Sequence, residues 1–259
     1  MRFPFGVVLA CALTVPASAA PRLIVAPDYG VMSRQAAGIV AEAIRAQPDL
    51  ALGLATGGTP LGLYAELARL HREEGLDFSR VRVFHLDEYA GLSADHPQSY
   101  RRYLRDNLLR HVNVDEKNVH FIDGTAGDLE AEAARYEALI KQSGGIDLQI
   151  LGIGSNGHIG FNEPGSAFDS RTRAVDLAPS TIRDNARFFD DPAQVPRRAV
   201  SQGIGTILEA RRVILLANGA GKRQAVRAAL SGPVGPRLPA SALRAHPGVV
   251  VLADPAAAP

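Results

Sequence analysis

A chain of 259 residues, 46% apolar and 21% charged, can bury a full core and has the balance of a globular α/β domain. A formal net charge of +1 with no basic run argues against a nucleic-acid surface, and a single cysteine, Cys11, excludes both a disulfide framework and a cysteine-based metal site. The 25 glycines and 17 prolines are spread through the chain, so they punctuate it without forming a low-complexity tract.

Residues 1–19 carry Arg2, an apolar run through Val15, and Ala17-Ser18-Ala19, the layout of a secretory signal. Pro4 and Pro16 break the stretch, which is too short to span a membrane. A start codon chosen too far upstream gives the same pattern. A single domain is expected over 22–254, with a disordered Pro-Ala tail at 255–259.

In chain order, Arg22 to Ala26 reads as a strand, and Ser33 as the cap of a helix carrying Ala36, Ile39, Val40, Ala43 and Ile44. Leu50 to Ala55 is uniformly apolar, as a parallel strand covered on both faces must be. It runs into Thr56-Gly57-Gly58-Thr59-Pro60 and a helix to about Arg72, with Thr59 as N-cap and Pro60 in the first turn. Two glycines leave backbone N–H groups open at a helix start, which favours an anion, most often phosphate. A merely well-capped turn is the competing reading.

Val81 to Leu86 is a third strand, ending in Asp87-Glu88-Tyr89. Adjacent carboxylates on a strand point oppositely, so one can enter a pocket while the other faces structure or a helix terminus. Helices are expected over Gln98–Arg110, Glu130–Lys141 and Val200–Glu209, and strands at Val213–Ala217 and Val249–Ala253. Asn218-Gly-Ala-Gly-Lys222 opens a helix, and Pro239 a short one. Only three lysines occur, Lys117, Lys141 and Lys222, so Lys222 beside glycines is either a phosphate counter-charge or a solvated first-turn residue. The alternation of apolar strands and helices predicts a three-layer, doubly wound α/β fold, its mostly parallel sheet covered by helices on both faces.

The most informative stretch is Asp147 to Gly165. A buried strand, Leu148–Ile153, breaks into Gly152, Gly154 and Gly157 and then places His158 and Glu163 in a loop with Asn156 and Asn162. The glycine spacing satisfies the dinucleotide fingerprint, and Asp176 lies at the right remove for a ribose. That fingerprint needs a helix at its third glycine, whereas His-Ile-Gly-Phe-Asn-Glu-Pro-Gly is poor helix material. An imidazole and a carboxylate five residues apart in a tight loop can instead face one pocket as base and orienter. Open α/β sheets bind ligands at this carboxyl edge.

Taken together, Gly53-Leu-Ala-Thr-Gly-Gly-Thr-Pro60, Leu86-Asp-Glu-Tyr-Ala-Gly-Leu92, His96-Pro-Gln-Ser-Tyr100, Gly152 to Gly165, Ser170-Arg-Thr-Arg173, Asn185-Ala-Arg-Phe-Phe189 and Gly203-Ile-Gly-Thr206 resemble the glucosamine-6-phosphate deaminases. The likeness runs from about Arg22 to Asp254. It implies conversion of glucosamine 6-phosphate to fructose 6-phosphate and ammonia, in the cytoplasm, with no cofactor and no metal. Asp87 would move a proton between C2 and C1, and His158, held by Glu163 and Asn156, would assist ring opening. Thr56, Gly57, Gly58 and Thr59, with Arg187 and Lys222, would hold the phosphate.

Many members carry Asp where this chain has Asn156. Regulated members carry a lysine where Val175 stands, and a longer C-terminal tail, so allosteric activation is not expected. The implied partner is a small phosphosugar, with no nucleic acid and no membrane, the chain acting as a monomer or homo-oligomer. Related 6-phosphogluconolactonases, the alternative function, typically lack the Phe-Asn-Glu-Pro run. A non-catalytic sugar-phosphate sensor would be expected to carry a helix-turn-helix segment, and none is present.

Overall fold

A computed structural model describes residues 20–259. The N-terminal segment 1–19, read as signal-like or mis-started, lies outside the described residues. None of the described helices is long and apolar enough to cross a membrane.

The chain opens with strand β1 (Arg22–Val25), helix α1 (Tyr29–Ala46), strand β2 (Ala51–Leu54), helix α2 (Leu61–Glu74) and strand β3 (Arg82–His85). Next come β4 (Asp87–Tyr89), α3 (Tyr100–Asn107), β5 (Val119–His120), α4 (Leu129–Gln142) and β6 (Leu148–Gly152). The second half holds β7 (Arg173–Asp176), α5 (Pro179–Asn185), β8 (Arg198–Ser201), α6 (Ile204–Leu208), β9 (Arg212–Ala217), α7 (Arg223–Ser231) and β10 (Val249–Ala253). Seven strands form one parallel sheet in the order β1-β10-β9-β6-β2-β3-β5.

Period-two alternation divides the core into two layers. Leu52, Leu54, Ile150, Ile214 and Leu216 pack with Met32, Ala36, Val40 and Ile44 of α1 and Leu63 and Leu67 of α2. Ala51, Leu151, Val213, Leu215 and Val251 face the other way, onto Tyr136 and Ile140 of α4, Ile207 of α6 and Val226 of α7. The expected three-layer α/β fold is therefore observed, with both sides of the sheet buried.

Several local expectations are corrected. Ser33 is not a cap but a buried residue inside α1; Asp28 caps the helix, accepting a bond from the Val31 N–H at 2.7 Å. Ser33 instead lies against Gly62, where any Cβ would come within 2.3 Å of its hydroxyl, and this brings α1 and α2 close. Thr59 does not cap α2 either, because its hydroxyl donates to Asn218 Oδ1 at 2.9 Å and the helix begins after Pro60.

The helix expected over Val200–Glu209 is split. Ala199 and Val200 belong to β8, and only Ile204–Leu208 is helical. β8 is the middle strand of a second, antiparallel sheet, β4-β8-β7, which the sequence did not announce. Residues 255–259, expected to be disordered, are packed: Ala257 is buried in the core, its N–H donates to Asp254 Oδ1 at 2.8 Å, and Arg223 donates to the Ala256 carbonyl at 3.0 Å.

Candidate active site

A cleft of about 600 Å³ opens at the carboxyl edge of the parallel sheet. The turn Thr56–Thr59 after β2, Asp87 after β3, His158 after β6 and Lys222 after β9 all line it, as does Arg187 from the short 3₁₀ turn after α5. Asn156 and Glu163 stand behind His158 and do not line the cleft themselves.

Asp87 is held by strand pairing, opposite Ser201 of β8, and is 5% exposed. Burial, reinforced by the neighbouring Glu88 charge and opposed by the Phe161 amide, pushes its carboxyl up to about 8. Glu88 points the other way. Its carboxylate accepts from the N–H groups of Tyr89, Tyr100 and Arg101 and from the Ser99 hydroxyl, at 2.8–3.0 Å, so it sits on the N-terminus of α3. The expected division of labour between the two carboxylates is observed: one enters the pocket and the other anchors a helix.

His158 depends on its glycines. A Cβ on Gly154 would lie 2.3 Å from the imidazole, so only glycine lets the ring rest on that backbone. Gly157 turns the chain with φ +84°, and its N–H closes onto the Gly154 carbonyl at 3.0 Å. His158 Nδ1 lies 3.6 Å from Glu163 Oε2, an ion-pair distance longer than a hydrogen bond. Burial tends to raise Glu163, but His158, Thr181 and Asn156 outweigh it and bring the carboxyl down to about 2. Asn156 donates from Nδ2 to Glu163 Oε2 at 2.9 Å and accepts the His158 backbone N–H on Oδ1 at 3.1 Å. The amide therefore fixes Glu163 and the loop rather than touching the imidazole ring.

At the other end of the cleft, Lys222 is half-buried; burial and the Arg187 charge depress its ammonium, with Asp184 opposing. The N–H groups of Gly57, Gly58 and Thr59 donate to no other protein group among the described residues. Two cations and free amides together suit a dianion.

A family model described as glucosamine-6-phosphate isomerases/6-phosphogluconolactonase matches residues 30–252. The chain belongs to this family. It is 51% identical over 237 residues to a glucosamine-6-phosphate deaminase of Halothermothrix orenii, spanning 92% of this chain and 98% of that one. The solved structure of a monomeric glucosamine-6-phosphate deaminase superposes with a TM-score of 0.90 at 47% identity, covering 91% of this chain and 98% of its own. A 6-phosphogluconolactonase from Trypanosoma cruzi follows at TM-score 0.72 and 25% identity, over 94% and 97% of the two chains.

Within this isomerase/lactonase family fold, several cleft residues escaped the sequence reading: Tyr100, Ser155, Thr181, Asp184, Asn185 and Asn218. Tyr100 stacks on Phe161 at 5.7 Å and 15°, and Asn185 donates to the Tyr89 hydroxyl at 2.7 Å. Both lie in motifs that carried the resemblance, yet neither residue type signals a pocket by itself. The Arg-Thr-Arg motif proves to be bracing outside the cleft. Arg171 pairs with Glu137 and Glu209, and Arg173 donates to Asn162 Oδ1 at 2.9 Å.

Proposed function

We propose that this chain is a glucosamine-6-phosphate deaminase, converting that substrate with water to fructose 6-phosphate and ammonia. The observation that carries the reading is one cleft holding a carboxyl of raised pKa, an imidazole backed by a carboxylate, and an anion-binding turn with two cations. The phosphate sits against Thr56–Thr59, Arg187 and Lys222, and this remote grip positions C1 and C2.

His158 takes the proton of the anomeric hydroxyl and returns one to the ring oxygen as the C1–O5 bond breaks. Glu163 stabilises the imidazolium that forms between these transfers, and Asn156 keeps Glu163 in place. Asp87 then removes the C2 proton while the substrate's ammonium gives one to the C1 oxygen, forming an enolamine, and Asp87 delivers its proton to C1, leaving an iminium at C2. Water adds to that carbon and ammonia departs. A carboxylate raised by burial suits this step, because it is a stronger base than an exposed one.

Ammonia release from glucosamine 6-phosphate, measured beside hydrolysis of 6-phosphogluconolactone, tests the assignment; lactone hydrolysis alone would reverse it. The proposal places the enzyme in the cytoplasm, where phosphorylated sugars are retained, and as a monomer, the state of the solved relative at 47% identity.

Two further results are expected. The Asp87 base must be ionised, so kcat/KM should rise about tenfold per pH unit below about 8 and level above it. A profile flat from pH 6 to 8 would separate the rate from this carboxyl. Lys222→Ala should raise KM roughly 10- to 100-fold with kcat nearly unchanged, the worth of one charge-assisted contact. An unchanged KM would remove Lys222 from the phosphate site.

A further inference from the structure

Three phenols from three different helices converge on the back of the Thr56–Thr59 turn. Tyr64 of α2 donates to the Ala55 carbonyl, and Tyr103 of α3 donates to the Gly57 carbonyl at 2.6 Å. Tyr29 of α1 donates towards the carbonyls of Gly58, at 3.3 Å, and Thr59, at 3.0 Å, while accepting the Gly62 N–H at 2.8 Å. None of the three tyrosines lines the cleft.

All peptide bonds among the described residues are trans, so each C=O points opposite the N–H of the same peptide plane. A phenol that fixes the carbonyl of Ala55, Gly57 or Gly58 therefore also fixes the N–H of Thr56, Gly58 or Thr59, on the side away from the phenol. The Gly57–Gly58 peptide needs this most. Gly57 has φ +101°, and neither glycine carries a side chain that could hold the plane by packing; a Cβ at either would meet no atom within 4 Å. Rotated, it would present a carbonyl oxygen to the anion instead of a donor.

We propose that Tyr29, Tyr64 and Tyr103 are positioning residues that set the donor direction of the phosphate-binding turn, so that its affinity for phosphate is fixed by phenols that never touch it. The inference rests on the reading of Thr56–Thr59 as the phosphate site. It follows that losing one hydroxyl weakens every phosphorylated ligand alike and leaves the chemistry at Asp87 and His158 intact.

The test uses Tyr103→Phe and, separately, Tyr29→Phe, which keep the ring and remove only the hydroxyl. Each should raise KM for glucosamine 6-phosphate and the inhibition constant of inorganic phosphate together, by about 3- to 10-fold, with kcat unchanged. A lowered Tm with both constants unmoved would reduce the tyrosines to structural props and overturn the proposal. Amide ¹H–¹⁵N shifts of Gly57, Gly58 and Thr59, followed as inorganic phosphate is titrated, separate the two levels of argument. Shifts in the wild type that recur at equal affinity in Tyr103→Phe would overturn the positioning role while preserving the turn as the phosphate site. No shift in a wild type that phosphate still inhibits would remove the turn, and the positioning role with it.

Discussion

Replacing Asp87 with asparagine should lower kcat by about 10²- to 10⁴-fold while KM stays within a few-fold of wild type. The substitution keeps the shape of the side chain and its place opposite Ser201, but an amide cannot accept the C2 proton. In the proposed mechanism ring opening belongs to His158, so the variant should still bind and open the sugar. It should also fail to exchange the C2 hydrogen with solvent. Near-normal exchange or turnover would remove Asp87 as the base.

The same variant carries a stability signature of opposite sign. Folding raises the Asp87 carboxyl from an ordinary 3.8 to about 8, so the folded state holds this proton more tightly than the unfolded chain. Between those values the wild type loses stability as pH rises, and above about 8 it bears the full cost of a buried charge beside Glu88. Asp87→Asn should therefore melt higher than wild type, with a gap that widens from pH 5 to 8 and then levels. Loss of activity with gain of stability in one substitution is what a strained catalytic group predicts. Loss of both would identify Asp87 as a structural residue.

How much of this was legible depends on the size of the signal each element carries. Parallel strands buried on both sides are largely apolar runs, interrupted here only by Arg82 and His85 in β3, Gln149 in β6 and Arg212 in β9, and β2, β3, β6, β9 and β10 were found within a residue or two of their ends. The antiparallel sheet was missed because β4, β7 and β8 are three or four residues long and built from Asp-Glu-Tyr, Arg-Ala-Val-Asp and Arg-Ala-Val-Ser, too short and polar to show a strand pattern, so that Val200 and Ser201 read as part of a helix. That sheet is nevertheless what fixes Asp87. The strand-end groups Thr56–Thr59, Asp87 and His158 were visible because glycines and ionisable residues interrupt apolar runs. Tyr29, Tyr64 and Tyr103 were not, since a tyrosine on an amphipathic helix looks like core and its hydroxyl partner is a backbone atom on another element.

Gly154→Ala should reduce kcat/KM by roughly 100-fold, the cost of displacing a catalytic group by about an ångström. The added methyl would stand 2.3 Å from Cε1 and Nδ1 of His158, inside contact distance. The backbone cannot yield cheaply. The Gly154 N–H donates to the His158 carbonyl at 2.9 Å, its carbonyl accepts the Gly157 N–H, and Leu238 packs over Gly157. The ring must move instead, disturbing its pairing with Glu163, whose Oε2 lies 3.6 Å from Nδ1. A crystal structure of the variant should show the imidazole displaced, and wild-type turnover with an unmoved ring would refute the argument.

The result also bears on why this loop imitates a dinucleotide fingerprint. There the second glycine admits a pyrophosphate to the backbone. Here the corresponding gap is filled from within by the imidazole of the same chain. The same freedom from a Cβ that would admit a ligand has been used to seat the imidazole proposed to open the sugar ring. Spacing alone could not distinguish the two uses; the residue four positions after Gly154 does.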